Sequence, residues 1–388
     1  MNQAVVLGSN YYIGLSIIRC LGKEDIDVIA MDYSHNNTYG ASSKYLKEQL
    51  IVPHYRDEDE LLVYLIEYGK KQSLKPVLFP TADAYVAFMD KHLDVLKKYY
   101  LIPMTEQGLW TKVMDKAGLK ELADKHHVKI PETMSSDAID WSNFDDLIGY
   151  PCLLKPTDSP GFVKHYRKKM FICNDRESLL KAIEQTRSDG FSMIVQRKII
   201  GPDSNVCTYD CHLNQKSQVT HSMTCQKIRQ FPINYGASSY TLQRHIEVLH
   251  QIGQRFLEAV GFKGFAEIEF KRDDRNNEYY LIEVNTRTTT LNCLLDRAGI
   301  NFPLVAYKEL IGEALPNKIF KKSTNYTFRY HIEDLISIVN YFKTHQLTLG
   351  DYFKNMRYKT IYAIWSFDDP KPYFTYMKNK LLRKRNKM

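Results

Sequence analysis

GFAEIEFKRDDRNNEYYLIEVNTRTTT, residues 264–290, is the stretch around which the rest of the chain is organised. Two runs within it, Gly264 to Lys271 and Glu278 to Asn285, have the alternation of aromatic or β-branched residues with charges that marks β-strands. A polar DDRNN turn separates them. Side chains repeat every two residues along a strand, so Glu267 and Glu269 share one face, and Glu283 and Asn285 share another. Paired as a hairpin, the two strands bring Glu269, Glu283 and Asn285 to one point. Two carboxylates and an amide oxygen make an all-oxygen site that suits Mg²⁺ or Mn²⁺ and leaves positions for phosphate and water. Arg287 follows two residues on, a planar cation placed to clamp a negatively charged substrate group. The plain alternative is a solvated hairpin. Its acids would then belong in the turn, whereas these lie inside the strand runs.

The whole chain bounds the answer. Its 388 residues, 44% hydrophobic and 25% charged, predict two or three globular domains. No apolar run approaches the roughly 20 residues that span a bilayer. The start, MNQAVVLGSNYYIG, lacks the pattern of a secretory signal. Seven scattered cysteines without a CxxC pair point to reduced thiols and a cytoplasmic location. The net charge of +8 is partly due to the six cations of the tail KNKLLRKRNKM. Elsewhere bases and acids interleave; phosphate-rich ligands account for the bias as well as nucleic acid does, and no nucleic-acid motif is present.

Along the chain, QAVVL (3–7) and IDVIAM (26–31) read as buried strands around a helix from about 13 to 21, the start of a βαβ unit. The loop GSNYYIG has Gly8 and Gly14 but lacks the middle glycine of the dinucleotide fingerprint, which weighs against a nicotinamide enzyme. A helix at 59–72, the strand PVLFP and a further helix complete a mostly parallel sheet domain over 1–105. Helices at 106–116 and 119–126 lead into a small α+β unit, so that 106–199 forms linker helices and a lid. Within it the strand PCLLK is followed by a polar loop TDSPGFVKHYRKKM, a helix near 176–188 and the strand SMIVQRKII. Residues 200–320 are dominated by long antiparallel strands, with a helix at about 241–260. Residues 321–388 form an aromatic-rich appended segment with a basic tail.

Lys155 ends an apolar strand beside a Gly/Pro loop, and a lysine drawn partly out of water needs an anion such as phosphate. In IVQRKIIGPD a strand meets a turn, which offers backbone amides to a flat heterocycle and Asp203 to ribose hydroxyls. Lys227 and Arg229, in CQKIRQFPINYGASSY, alternate onto one strand face.

Together MDKAGLKELADKHHVKIPET, YPCLLKPTDSPG, IVQRKIIGPD, GFAEIEF and LIEVNTR resemble the ATP-grasp superfamily, over about residues 1–320 and in the right order. The resemblance implies an α/β and α+β architecture: an N-terminal Rossmann-like parallel sheet, a small α+β lid, and a larger antiparallel-sheet domain that holds the metal site. It implies that Lys116 and Lys155 hold ATP phosphates, that the backbone of Arg197, Lys198 and Ile199 meets adenine, and that Asp203 meets ribose. Gln196 occupies the hinge position often held by Glu, and SPG stands where a glycine-dense flap is usual. Glu269, Glu283 and Asn285 match the metal positions, and Arg287 matches the arginine that faces the acyl-phosphate chemistry. CQKIRQFPINYGASSY and YAIWSFDDPKPYF (362–374) resemble the branch of carboxylate–amine ligases acting on amino acids, which includes D-aspartate ligases and dipeptide-forming aspartate–methionine ligases. That branch implies small-molecule amino-acid substrates, ATP with Mg²⁺ or Mn²⁺, catalytic roles for Arg287, Arg229 and Lys227, and is compatible with a homodimer. A non-catalytic nucleotide-binding protein is the competing reading.

Overall fold

The computed structural model describes residues 1–36, 38–157 and 159–385. Asp158 of the TDSPG flap and residues 386–388 of the basic tail therefore lie outside the described residues. The chain divides into two compact units, one of residues 1–127, 202–270 and 283–388, the other of 128–201 and 271–282.

In the first unit β1 (Ala4–Leu7), β2 (Val28–Asp32), β3 (Glu48–Ile51) and β4 (Val77–Pro80) form a parallel sheet in the order β3-β2-β1-β4. β1, β2 and β4 are buried throughout, as near-continuous apolar runs must be when helices cover both faces. The helix Tyr12–Gly22 follows β1. Its glycines serve backbone geometry. Gly8 has φ +100°, and a Cβ on Gly14 would sit 2.2 Å from the Gly8 carbonyl oxygen, so only glycine lets the helix approach the turn. Asp32 fastens the same loop, accepting from both the backbone N–H and the hydroxyl of Ser9 at 2.6 Å.

The second unit contains β5 (Thr133–Ser135), β6 (Cys152–Pro156), β7 (Phe171–Cys173) and β8 (Met193–Arg197), antiparallel in the order β5-β8-β6-β7. The helix Arg176–Ser188 begins with a capping box between Asp175 and Ser178. The stretch read as a polar loop after β6 instead contains the helix Ser159–Tyr166. Its Phe162 is fully buried against Tyr166, Phe171 and Phe191, and that aromatic contact overrides the loop-like local composition.

The first unit also carries the main sheet. Its strands are β9 (Val206–Leu213), β10 (Val219–Phe231), β11 (Ala237–Gln243), β12 (Gly264–Arg272), β13 (Tyr279–Asn285), β14 (Lys318–Ile319), β15 (Tyr326–Arg329) and β16 (Lys359–Tyr362). They run in the order β13-β12-β9-β10-β11-β15-β16, with β14 also on β10. Residues 271–282, around the tip of the β12–β13 hairpin, belong to the second unit. Two expectations change here. The helix expected from about 241 starts at Glu247, because residues up to Gln243 pair with β10 as β11. The 321–388 segment is no appendage, since β15 pairs with β11 and β16 with β15. Its end is fastened by Arg19, whose guanidinium donates to the Asp369 carboxylate (2.9 Å) and to the backbone oxygens of Ile364 (2.8 Å) and Asp369 (2.7 Å).

Candidate active site

The acids of β12 and the end of β13 lie in one network in the first unit. Lys227, on β10, donates to the Glu269 carboxylate. Asn285 donates its Nδ2 to Glu267 Oε1 at 3.1 Å, and its Oδ1 accepts from Arg287 Nη2 at 3.3 Å. Arg287 is itself steered by Asp83, whose Oδ1 accepts from Nε at 2.7 Å. Burial alone would lower the pKa of Lys227, but the charges of Glu269, Glu267 and Glu283 outweigh it and hold the ammonium charged. Lys116 is shifted the other way: burial lowers its pKa against the opposing fields of Glu283 and Asp115. It is the first residue of the helix Lys116–Lys125, which Asp115 caps by accepting from the N–H groups of Ala117 (3.0 Å) and Gly118 (2.9 Å).

Among the described residues no three His, Cys, Asp or Glu side chains converge on a metal position by themselves. The set at issue is two carboxylates and an amide oxygen, a donor chemistry that fits magnesium. Two of its oxygens already face cations of the chain, Glu269 facing Lys227 and Asn285 facing Arg287. The place calls for positive charge.

Beneath it lies a carboxyl pair that strand alternation alone did not single out. Glu267 is buried, and burial raises its pKa. Asp210 on β9 is fully buried and raised well above the usual carboxylate range, first by burial and then by the Glu267 charge. Thr208 (2.8 Å) and Thr289 (3.3 Å) donate to it. The only signal for Glu267 was its two-residue spacing from Glu269; Asp83 and Asp210 carried none.

In the second unit Lys155 and Gln196 come together, Nζ donating to Oε1 at 2.6 Å, while Gln196 Nε2 donates to Thr133 Oγ1 at 3.0 Å. The adjoining backbone is engaged too: Arg197 N–H donates to the Glu132 carbonyl at 2.8 Å, and the Lys198 carbonyl accepts from Arg275 at 3.3 Å. Ile199 is buried.

Two expected site residues are placed differently from their reading. Asp203 is 4% exposed, and its Oδ2 accepts from Asn234 N–H at 2.8 Å and from the Tyr341 hydroxyl, so a ribose contact is left only Oδ1. Lys227 faces Glu269, whereas Arg229 faces a different acid. It instead donates Nε and Nη2 to Asp334, both at 2.8 Å, and stacks on Tyr240. Its Nη1 is buried without a hydrogen-bond partner among the described residues.

The sequence and the fold resemble those of known proteins. Residues 115–317, just over half of the chain, match the family described as carbamoyl-phosphate synthase L chain, ATP binding domain. A D-aspartate ligase of Enterococcus faecium (strain Aus0004) is 23% identical over 305 residues, which cover 71% of this chain and 72% of the relative. Among solved structures, an N5-carboxyaminoimidazole synthetase from Staphylococcus aureus superposes with a TM-score of 0.63 at 16% identity, covering 82% of this chain and 81% of its own. An L-amino acid ligase from Bacillus licheniformis does so with a TM-score of 0.58 at 13% identity, covering 81% and 78%. At these identities the structural likeness speaks for the fold alone. The chain belongs to the ATP-grasp family, matched through its ATP-binding domain.

Proposed function

We propose that the protein joins the carboxylate of one amino acid, aspartate the best candidate, to the amine of a second, forming a dipeptide with release of ADP and phosphate. The observation that carries this is the network of Lys227, Glu269, Glu267, Asn285 and Arg287 at the β12–β13 end of the main sheet. The D-aspartate ligase relative supports aspartate as the acid.

A substrate carboxylate oxygen attacks the γ-phosphorus of ATP, the bond from that phosphorus to the β-bridging oxygen breaks, and ADP departs. The amine nitrogen then attacks the carbonyl carbon of the acyl phosphate, inorganic phosphate leaves, and the nitrogen sheds its excess protons. Lys116 and Lys155 hold phosphates, the backbone of Arg197 to Ile199 meets adenine beside Gln196, and Lys227 keeps the acidic cluster neutralised. Arg287, held in aim by Asp83, stabilises the tetrahedral oxyanion. Magnesium held by Glu269, Glu283 and Asn285 would neutralise charge on the β- and γ-phosphates. The chain's own work is positioning and charge stabilisation.

ATP use and seven cysteines present as free thiols, six of them buried, fit a cytoplasmic protein. No described helix is long and apolar enough to cross a membrane. The test is phosphate release with ATP and Mg²⁺ over all pairs of L- and D-amino acids, with mass spectrometry of the products. Release no faster than with ATP alone, for every pair, would sink the dipeptide reading. The D-aspartate ligase relative favours one second reading, transfer of D-aspartate to a peptidoglycan precursor; product formed only when that precursor is supplied would select it.

A further inference from the structure

The basic end of the chain takes no part in the reaction scheme, yet the fold fastens one side of it and turns the other outward. From Lys371 to Met388 the sequence holds seven Lys or Arg and no Asp or Glu. Its helix, Lys371–Arg385, is anchored along one stripe. The Tyr376 hydroxyl donates to the Glu333 carboxylate, Lys380 donates to the same group at 2.6 Å, and Tyr373 and Met377 pack on the core. Those positions recur every three or four residues, which leaves the opposite stripe in water. There Phe374 is 61% exposed, Leu381 62% and Leu382 46%, with Lys371 and Lys378 exposed beside them. The preceding loop adds Phe367, 91% exposed. That loop is held in place: His331 Nε2 accepts from Trp365 N–H at 3.1 Å, and Asp369 accepts from Arg19 at 2.9 Å. Trp365 meets Phe367 and Phe374 edge-on, at 5.5 and 6.1 Å between centroids, and so joins them in one aromatic patch. The neighbouring Asp368 carboxylate is answered by Lys23 at 3.1 Å and by the Tyr45 hydroxyl at 2.7 Å.

Single exposed apolar residues need no explanation, but large ones gathered among cations fit a partner that is both apolar and negatively charged. Nucleic acid supplies the charge and a π-face for the rings, but no apolar phase for Leu381 and Leu382. An anionic bilayer supplies both, with charged headgroups for Lys371 and Lys378 and acyl chains just beneath for the rings and leucines. No described helix is long and apolar enough to cross a membrane, so this one would lie on its surface. We propose that Phe367, Phe374, Leu381 and Leu382, with Lys371, Lys378 and the Arg-Lys-Arg run that follows in sequence, dock the protein on an anionic lipid bilayer. The docking goes beyond the ligase reading and is independent of which amino acids are joined.

The test is co-sedimentation of the full chain with vesicles of phosphatidylcholine alone, or with one third phosphatidylglycerol. Wild type is compared with two double variants, Phe367→Ser with Phe374→Ser, and Lys371→Glu with Lys378→Glu. All four side chains stand in water, so the fold tolerates these changes. Wild type pellets with the anionic vesicles and not with the neutral ones, and raising the salt from about 0.1 M to about 1 M releases it. Each cation near an anionic surface contributes about fivefold, so the lysine pair weakens binding by about 25-fold or more. Withdrawing two rings from the interface weakens it by about tenfold or more. The proposal is overturned if wild type stays in solution with anionic vesicles, if it pellets equally with neutral ones, or if either variant binds within twofold of it. Tighter binding of polyuridylate than of the vesicles, at equal phosphate concentration, would overturn it in favour of nucleic acid.

Discussion

Replacing Asp334 with Asn tests how the helix His331–Lys343 is bound to the main sheet. Asp334 is fully buried, and it accepts both Nε and Nη2 of Arg229 at 2.8 Å, with Arg329 Nε a further 3.2 Å away. Arg229 is 1% exposed and lies over Tyr240, centroid 4.1 Å, with Arg329 5.2 Å from the same ring. One fully buried carboxylate thus answers two guanidinium groups. An asparagine keeps the shape but withdraws the charge, and its NH₂ must face one of the guanidinium N–H groups. Breaking a buried pair from one side costs about 3–5 kcal/mol. With an unfolding entropy of about 2.1 cal/mol/K per residue, that lowers Tm by about 4–6 °C for a chain of this length. Differential scanning calorimetry at one scan rate measures it. A fall of about 1 °C or less, on the same entropy scale, would refute the reasoning, since the guanidinium charge could not then be desolvated.

Other outcomes follow from the same structure. Glu283→Gln lowers kcat by about a hundredfold or more in the phosphate-release assay, by comparison with losing one preorganised electrostatic group; near-normal turnover removes Glu283 from the site. Gly14→Ala forces a Cβ to 2.2 Å from the Gly8 carbonyl oxygen and destabilises by about 1–3 kcal/mol in thermal melts, where an exposed helix glycine would have gained. His331 Nε2 accepts from the N–H groups of Ile364 and Trp365, both at 3.1 Å, and burial, then Arg19 and Lys380, lowers its pKa from 6.5 to about 4. Below pH 6.5 the unfolded chain takes up the proton first, so stability falls as pH drops from 6.5 towards 4, by up to about 1.4 kcal/mol per pH unit. His331→Gln flattens that slope in pH-dependent urea melts, and an unchanged slope assigns the acid sensitivity elsewhere.

Much of the architecture could be read along the chain, because period and polarity are local properties. Alternation identified β12 and β13 and set Glu269, Glu283 and Asn285 apart. Apolar runs identified the parallel sheet, and the end of β6 put Lys155 in place to meet Gln196. The reading failed where a contact between residues distant in sequence overrode local pattern. Phe162 turned a loop-like stretch into a helix, and pairing with β10 drew 237–243 into a strand.

The site divides along the same line. Residue types and spacings singled out the acids, Lys155, Lys227 and Arg287, while Lys116 entered only through the family resemblance. What those groups face was decided by tertiary structure: Arg229 finds Asp334 105 positions away, Arg287 finds Asp83 204 away, and Glu333 lies against Tyr376 43 away. A side chain's chemistry is written in its own residue, but its charge state and aim depend on partners that only chain folding brings within a few ångströms.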